Sequence, residues 1–476
     1  MSFYEKLGLQ SHVALIILSL STMMLCGFLL SRITKKLKLP NVTAYIITGI
    51  LLGPFVFNLI PQVVISKSDF LSDLALAFIA FSTGEYFKFS VLKKNGIKIV
   101  IIVLFEALMA TVLVFVACHL ILGVSAPFSL VLAALASATA PASTMMTIRQ
   151  TKAKGDLVDT LLQTVALDDV VSLLAYSLAI TIAVAAFNGL SVDVVSIVKP
   201  LFINLSVIAL GCLFGLIMKF AVQSSSSTDN RLIIAISMLL AFCGLCAIMD
   251  ASPLLGCMSM AMIYINTTED DKLFKQINYF SPPFLLLFFV RSGLSFNLNT
   301  LIHPTGAIGQ TPLVIVGITY FLTRIIGKYT GAYLGCQLAG KPAKVKNYLG
   351  LALIPQAGVA IGLATLGNRA IGGQLGEALE TIILSSSILY ELIGPACGKL
   401  ALYLSGSYQN KLEDIVQVDE KTPEGQTKSQ LDLLIERIQI IQEEIKQEKE
   451  SEEEKAFTEA AEKYEEIATK EDKPNE

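Results

Sequence analysis

The sequence predicts an all-α polytopic membrane protein. It has about thirteen transmembrane helices with inverted repeats and two crossed, broken helices, followed by a short helical or disordered cytoplasmic tail. Three observations carry this expectation. Apolar residues make up 54% of the 476 and come in blocks of 18 or more, long enough to cross a ~30 Å hydrocarbon core. Only 16% of residues are charged, against about 25% in ordinary soluble domains. Prolines interrupt two of the blocks, at Pro141 and Pro355, where a helix loses a donor and meets a clash.

The hydrophobic segments run approximately over 12–31, 41–60, 71–88, 99–122, 127–148, 157–187, 197–220, 231–249, 254–266, 279–301, 309–338, 347–366 and 376–403. The first has the length of a signal peptide. It lacks a basic leading region and a small-residue cleavage site, and so reads as a retained span. The ninth is short, and Pro253 blurs its start. Residues 1–404 form the membrane domain and 405–476 the tail.

Orientation follows from lysine and arginine. With the N-terminus outside, the inner loops hold 18 basic residues, among them Arg32, Lys93, Arg149, Lys272, Lys275 and Lys344. The outer side holds 4: Lys6, Lys67, Lys199 and Arg369. The C-terminus then lies inside. From residue 411 onward the chain has 21 acidic and 10 basic residues, and before it 18 acidic and 26 basic. An acidic tail thus follows a membrane body with basic loops. Within the tail, Leu431, Leu434, Ile438, Ile441 and Ile445 form an a/d seam of about two heptads, shorter than a coiled coil needs. An amphipathic helix and a solvated tail stand as equal readings, and the terminal stretches read as disordered.

Most of the eight cysteines fall inside spans. Cys243 and Cys246 form a C-x-x-C pair on an apolar helix and read as small core residues. His12, His119 and His303 sit near span ends and are assigned no chemistry.

The charges inside the spans carry the chemistry. Asp168 and Asp169 stand in "TLLQTVALDDVVSLLAYSLAITIAV". Each carboxylate there costs roughly 2.5–3.5 kcal/mol on insertion scales. Asp168 lies twelve residues beyond Asp156, roughly 18 Å along a helix and so near mid-membrane. Adjacent helical residues point about 100° apart, so the two acids face different surroundings. In "ASATAPASTMM", Pro141 breaks the helix among the hydroxyls of Thr139, Ser143 and Thr144. In "LALIPQAGVAIGLA", Pro355 and Gly358 break another. These are the fifth and twelfth segments, so they run in opposite directions, as in inverted-repeat secondary transporters with a site at the crossing. Arg324, in "FLTRIIGKYTGAYLG", is also near mid-membrane. It cannot lose its proton and needs a partner, for which Asp168 or Asp169 is the candidate. Lys328, one turn on, reads as snorkelling. Glu106 and Arg291 are placed as a pair, although Arg291 also reads as near a span end. Glu85 and Asp73 read as surface groups, and Asp250 lies at an outer turn.

These residues resemble the monovalent cation:proton antiporter superfamily, the sodium/hydrogen exchanger-like transporters. The resemblance rests on "TAYIITGILLGPFVFN", "FSTGEYF", "ATAPAST", "ALDDVVSL", "SPLLGCMSMAM", "FFVRSGLSFNL" and "PQAGVAIGLA", in that order, over residues 12–403. It implies that Asp169 binds a cation (Na⁺ favoured, K⁺ the alternative) and protons by turns. Asp168 is then the neighbour that pairs with a lysine in electrogenic members. Thr139, Pro141 and Ser143 form the crossover, and Arg324 stands in the lysine's place, aligned on Gly327. The paired acids suggest two protons per ion, while arginine there argues for one-to-one, electroneutral exchange. A homodimer and a bacterial inner membrane are further implications.

A mid-membrane carboxylate that takes either a proton or a hard cation couples the two flows by competition, with alternating access moving the site between the two faces. The expected partners are Na⁺ or K⁺, H⁺ and the lipid bilayer, with no nucleic acid and no cofactor. The nearest alternative is a K⁺/H⁺ exchanger or potassium-efflux system; no G-x-G-x-x-G follows residue 404. A channel or a membrane scaffold signalling through its tail is the alternative from another class. An enzyme is disfavoured, since no nucleophile–base pair or metal cluster is present.

Overall fold

Hydrocarbon cannot satisfy backbone polar groups, so a chain of this composition must bury its peptide bonds in helices. In the computed structural model the described residues are 11–36, 40–68, 70–140, 147–148, 151–189, 194–222, 228–249, 251–268, 270–297, 311–408, 435–436 and 438–439. The chain divides into units of residues 1–407 and 408–476. Of the tail's expected seam, Ile438 is helical and exposed. Leu431, Leu434, Ile441 and Ile445 lie outside the described residues.

The first unit is built from α1 His12–Lys36, α2 Asn41–Leu52, α3 Gln62–Lys67, α4 Phe70–Gly84, α5 Phe89–Phe115, α6 Ala126–Leu135, α7 Asp156–Phe187 and α8 Val194–Ala221. It continues with α9 Thr228–Ile248, α10 Leu254–Thr268, α11 Asp271–Phe280, α12 Pro282–Leu294, α13 Leu313–Leu338, α14 Ala343–Ala352, α15 Gly358–Ile371 and α16 Gly373–Ser405. Each of the thirteen expected segments contains a helix. Among the described residues seven helices are long and apolar enough to cross a membrane, or eight if α11 and α12 count as one bent span. The helices α2, α4, α6 and α10 are shorter and apolar.

Two boundaries differ from expectation for local reasons. The second segment stops at Leu52 rather than reaching residue 60, because Gly53 and Pro54 end the helix and a proline cannot extend it. The tenth begins earlier, at Asp271, and bends by 48° before Pro282, where the proline restarts a helix at its first position. Its first part, α11, is amphipathic. Leu273, Phe274 and Ile277 are buried while Lys272 and Lys275, expected in an inner loop, are exposed.

Packing sorts the helices into two sets. In one, α2 packs on α1 and α12, and α10 packs on α4 and α8. In the other, α5 packs on α13, α6 on α7, and α16 on α14 and α15. The α4–α15 and α7–α8 contacts are among those that join the sets.

The α5–α13 contact positions the site. Gly327, Gly331 and Gly335 recur every four residues along α13. A Cβ on them would lie 2.6 Å from Ala110 Cα, 2.6 Å from Glu106 Cα and 2.8 Å from Ile102 Cα of α5. Lipid tails are as apolar as leucine, so membrane helices associate through this kind of close backbone packing. Gly331→Leu is expected to force the helices apart, at roughly 1–3 kcal/mol, and to lower the melting temperature of the detergent-purified protein. Gly317→Ala, where nothing lies within 4 Å of the added methyl, is expected to leave that temperature unchanged or raise it.

Candidate functional site

The fifth and twelfth segments are each interrupted. The helix α6 stops at Leu135, and residues 136–140 continue without regular structure. The helix α14 stops at Ala352, and α15 begins at Gly358. Pro141, Ser143 and Thr144 lie outside the described residues. Pro355 stands in the second break, and Gly358 is the first residue of α15. The two breaks meet directly: Ala140 N–H donates to the Pro355 carbonyl at 2.9 Å.

A helix that ends inside the membrane leaves its last carbonyls without donors and with partial negative charge. Here α13 and the second break supply those donors. Arg324 is fully buried. Its Nε donates to the Ala136 carbonyl at 2.9 Å, one terminal nitrogen to Ala138 at 2.5 Å and the other to Ile354 at 2.7 Å. Its guanidinium carbon lies 4.6 Å from the centre of the Tyr390 ring. Gln356 Nε2 donates to the Leu135 carbonyl at 2.7 Å, and the Tyr320 hydroxyl donates to Gln356 Oε1 at 3.1 Å. The planar fork of arginine thus ties the two breaks together.

This corrects the expected Arg324–aspartate pair. Arg324 donates to carbonyls; the partner of Asp168 is Lys328, whose Nζ lies 2.9 Å from Asp168 Oδ2. Lys328 does not snorkel, since it is fully buried. Its ammonium donates to Asp168 Oδ2 and to the Ser137 carbonyl. It also forms an ion pair at 2.6 Å with Oε2 of Glu106, whose two oxygens accept no hydrogen bond. The expected Glu106–Arg291 pair is corrected by the same contact. Arg291 is buried near the end of α12. The argument for electroneutral exchange from an arginine in the lysine's place falls with these corrections.

Asp168 and Asp169 are consecutive on α7 and both buried, at 0% and 2% exposure, yet only Asp168 is ion-paired among the described residues. Asp169 Oδ1, Asp168 Oδ1, Thr139 Oγ1 and Thr164 Oγ1 are buried without a hydrogen-bond partner. Thr164 is one turn before Asp168, and Thr139 lies in the first break. Buried oxygens without donors are costly and are the ligand type that hard cations prefer. Asp73 is at the surface as expected, 3.2 Å from Arg369. Asp250 lies outside the described residues.

Sequence reasoning misassigned Lys328 and Glu106 and missed Gln356. A signal for the first two was present. Lys328 and Arg324 are four residues apart and share a face, and the Gly327–Gly331–Gly335 row marks where another backbone must approach.

The sodium/hydrogen exchanger transmembrane family model matches residues 20–394. Among solved structures, the chain is similar to the sodium proton antiporter MjNhaP1 from Methanocaldococcus jannaschii at pH 8. That match has 19% identity and a TM-score of 0.67, covering 83% of this chain and 100% of the other. An electron-microscopy structure of the same antiporter gives 18% identity and a TM-score of 0.65, with 84% and 100% covered. At these identities the likeness is one of fold. Comparison with curated proteins returns no match.

The Arg324 contacts generate a stability prediction. Arg324→Met orphans the Ala136 and Ile354 carbonyls at about 1–3 kcal/mol each and leaves Ala138 only the 3.5 Å contact from Gln356. Thermal melts of detergent-purified protein should show a large loss for Met and a smaller loss for Arg324→Lys, which keeps the charge but not the fork.

Proposed function

The chain belongs to the sodium/hydrogen exchanger family, and from that premise we propose that Asp169 carries a monovalent cation and a proton by turns. It is an integral membrane protein of a family whose members exchange monovalent cations for protons. The reading rests on one contrast. Of two adjacent buried acids, Asp168 is held by Lys328, while Asp169 keeps Oδ1 without a partner.

Asp169 supplies the charge. Asp168, Thr139 and Ser143 supply further oxygens, and Pro141, Pro355 and Gly358 are the residues that the sequence assigns to the helix breaks. Na⁺ is the favoured cation and K⁺ the alternative. Lys328 lies against Glu106 and Asp168, which leaves Asp169 as the adjacent buried acid with no ion pair among the described residues. One proton or one monovalent cation neutralises Asp169, and neither can bind while the other is present. Burial makes the charged, empty state costly, so the site is carried across the membrane neutralised.

Alternating access then consists of the α5–α7 and α13–α16 set moving against the set of α1, α2, α4, α8–α10 and α12. The basic loops place the N-terminus outside and the C-terminus inside, and the family implies a homodimer in a bacterial inner membrane. In proteoliposomes with an internal pH dye and voltage held at zero, Na⁺ or K⁺ added outside is expected to drive proton movement. Asp169→Asn should abolish it. The responding ion names the substrate; equal activity in parent and Asp169→Asn would refute the assignment.

A further inference from the structure

Lys328 is shared between two acids. Its Nζ lies 2.9 Å from Asp168 Oδ2 and 2.6 Å from Glu106 Oε2, and all three side chains are fully buried. The Glu106 backbone is packed on α13, where a Cβ on Gly331 would lie 2.6 Å from the Glu106 Cα, so the helix contact that carries Lys328 also brings Glu106 to it. One ammonium between two carboxylates is held less closely by either than it would be by one alone, because the second acid pulls the same charge toward itself. Asp168 meanwhile presents its second oxygen, Oδ1, without a hydrogen-bond partner.

We propose that Glu106 is a positioning residue of the cation site: by competing for Lys328 it loosens the hold on Asp168 and frees that acid to help ligate the cation at Asp169. The proposal rests on the reading of Asp169 as the cation carrier. Glu106 acts through Lys328 and does not itself touch the cation. Its removal would leave Lys328 and Asp168 as a tight one-to-one pair, which the cation must then disrupt. Apparent cation affinity falls, while turnover at saturating cation is retained.

The test uses the full-length protein in detergent, titrated with Na⁺ and separately with K⁺. It reads the concentration at half-maximal thermal stabilisation, a linkage measure that needs no transport. Glu106→Gln is expected to raise this concentration roughly tenfold, within the range of couplings between contacting charged residues. In the Lys328→Gln background the same change is expected to have no effect. Flux in proteoliposomes should show the rise in KM with kcat preserved. Glu106→Asp, which keeps the charge on a shorter arm, should give an intermediate rise and serves if Glu106→Gln does not fold. An unchanged midpoint in whichever variant folds overturns the proposal. So does an equal loss in both Lys328 backgrounds, which would make Glu106 a bare negative charge. A parent protein stabilised by neither cation overturns the cation-site reading itself, and this inference with it.

Discussion

A helix that stops in the middle of a membrane must find donors for its last carbonyls within the protein, because no water is at hand. That requirement organises the centre of this molecule. Leu135, Ala136, Ser137 and Ala138 present their carbonyls at the end of α6, and Ile354 and Pro355 present theirs in the second break. Gln356, Arg324, Lys328 and the Ala140 amide answer them. Two of these donors are permanent or strong cations, so the scaffold that repairs the breaks also brings positive charge into the buried interior. The acids are needed to balance it.

In the proposed reading, Asp169 is the buried acid that Lys328 does not hold, and burying its charge is tolerable when a proton or a cation is always present, which is the condition for coupling. The close α5–α13 packing matters here because it brings the backbones of Glu106 and Lys328 together, so that their side chains meet.

Much of this was legible in the sequence because its signals are local. Apolar block length revealed the helices, the prolines revealed the breaks, and "ALDDVVSL" placed two acids at mid-depth. The distinction between Arg324 and Lys328 was not local. They lie on one face of one helix a turn apart, and which of them meets Asp168 depends on how α13 is set against α5 and the breaks. A chemical argument pointed to Arg324, since arginine cannot shed its charge. That argument overlooked broken-helix carbonyls as partners that a planar fork satisfies better than one carboxylate would. Glu106 was misassigned to Arg291 because pairing was argued from depth alone. The glycine row that presses α5 onto α13 was the missed evidence.

The most direct test of the central claim, that cation and proton occupy one carboxylate by turns, is the pH dependence of cation affinity. The apparent KM for the transported cation should be measured across the acidic range in proteoliposomes, alongside the maximal rate. Competition for one site predicts that KM rises toward about tenfold per pH unit as protons come to dominate, with the maximal rate at saturating cation preserved. A KM independent of pH, with the maximal rate alone changing, would mean that the proton and the cation use different sites.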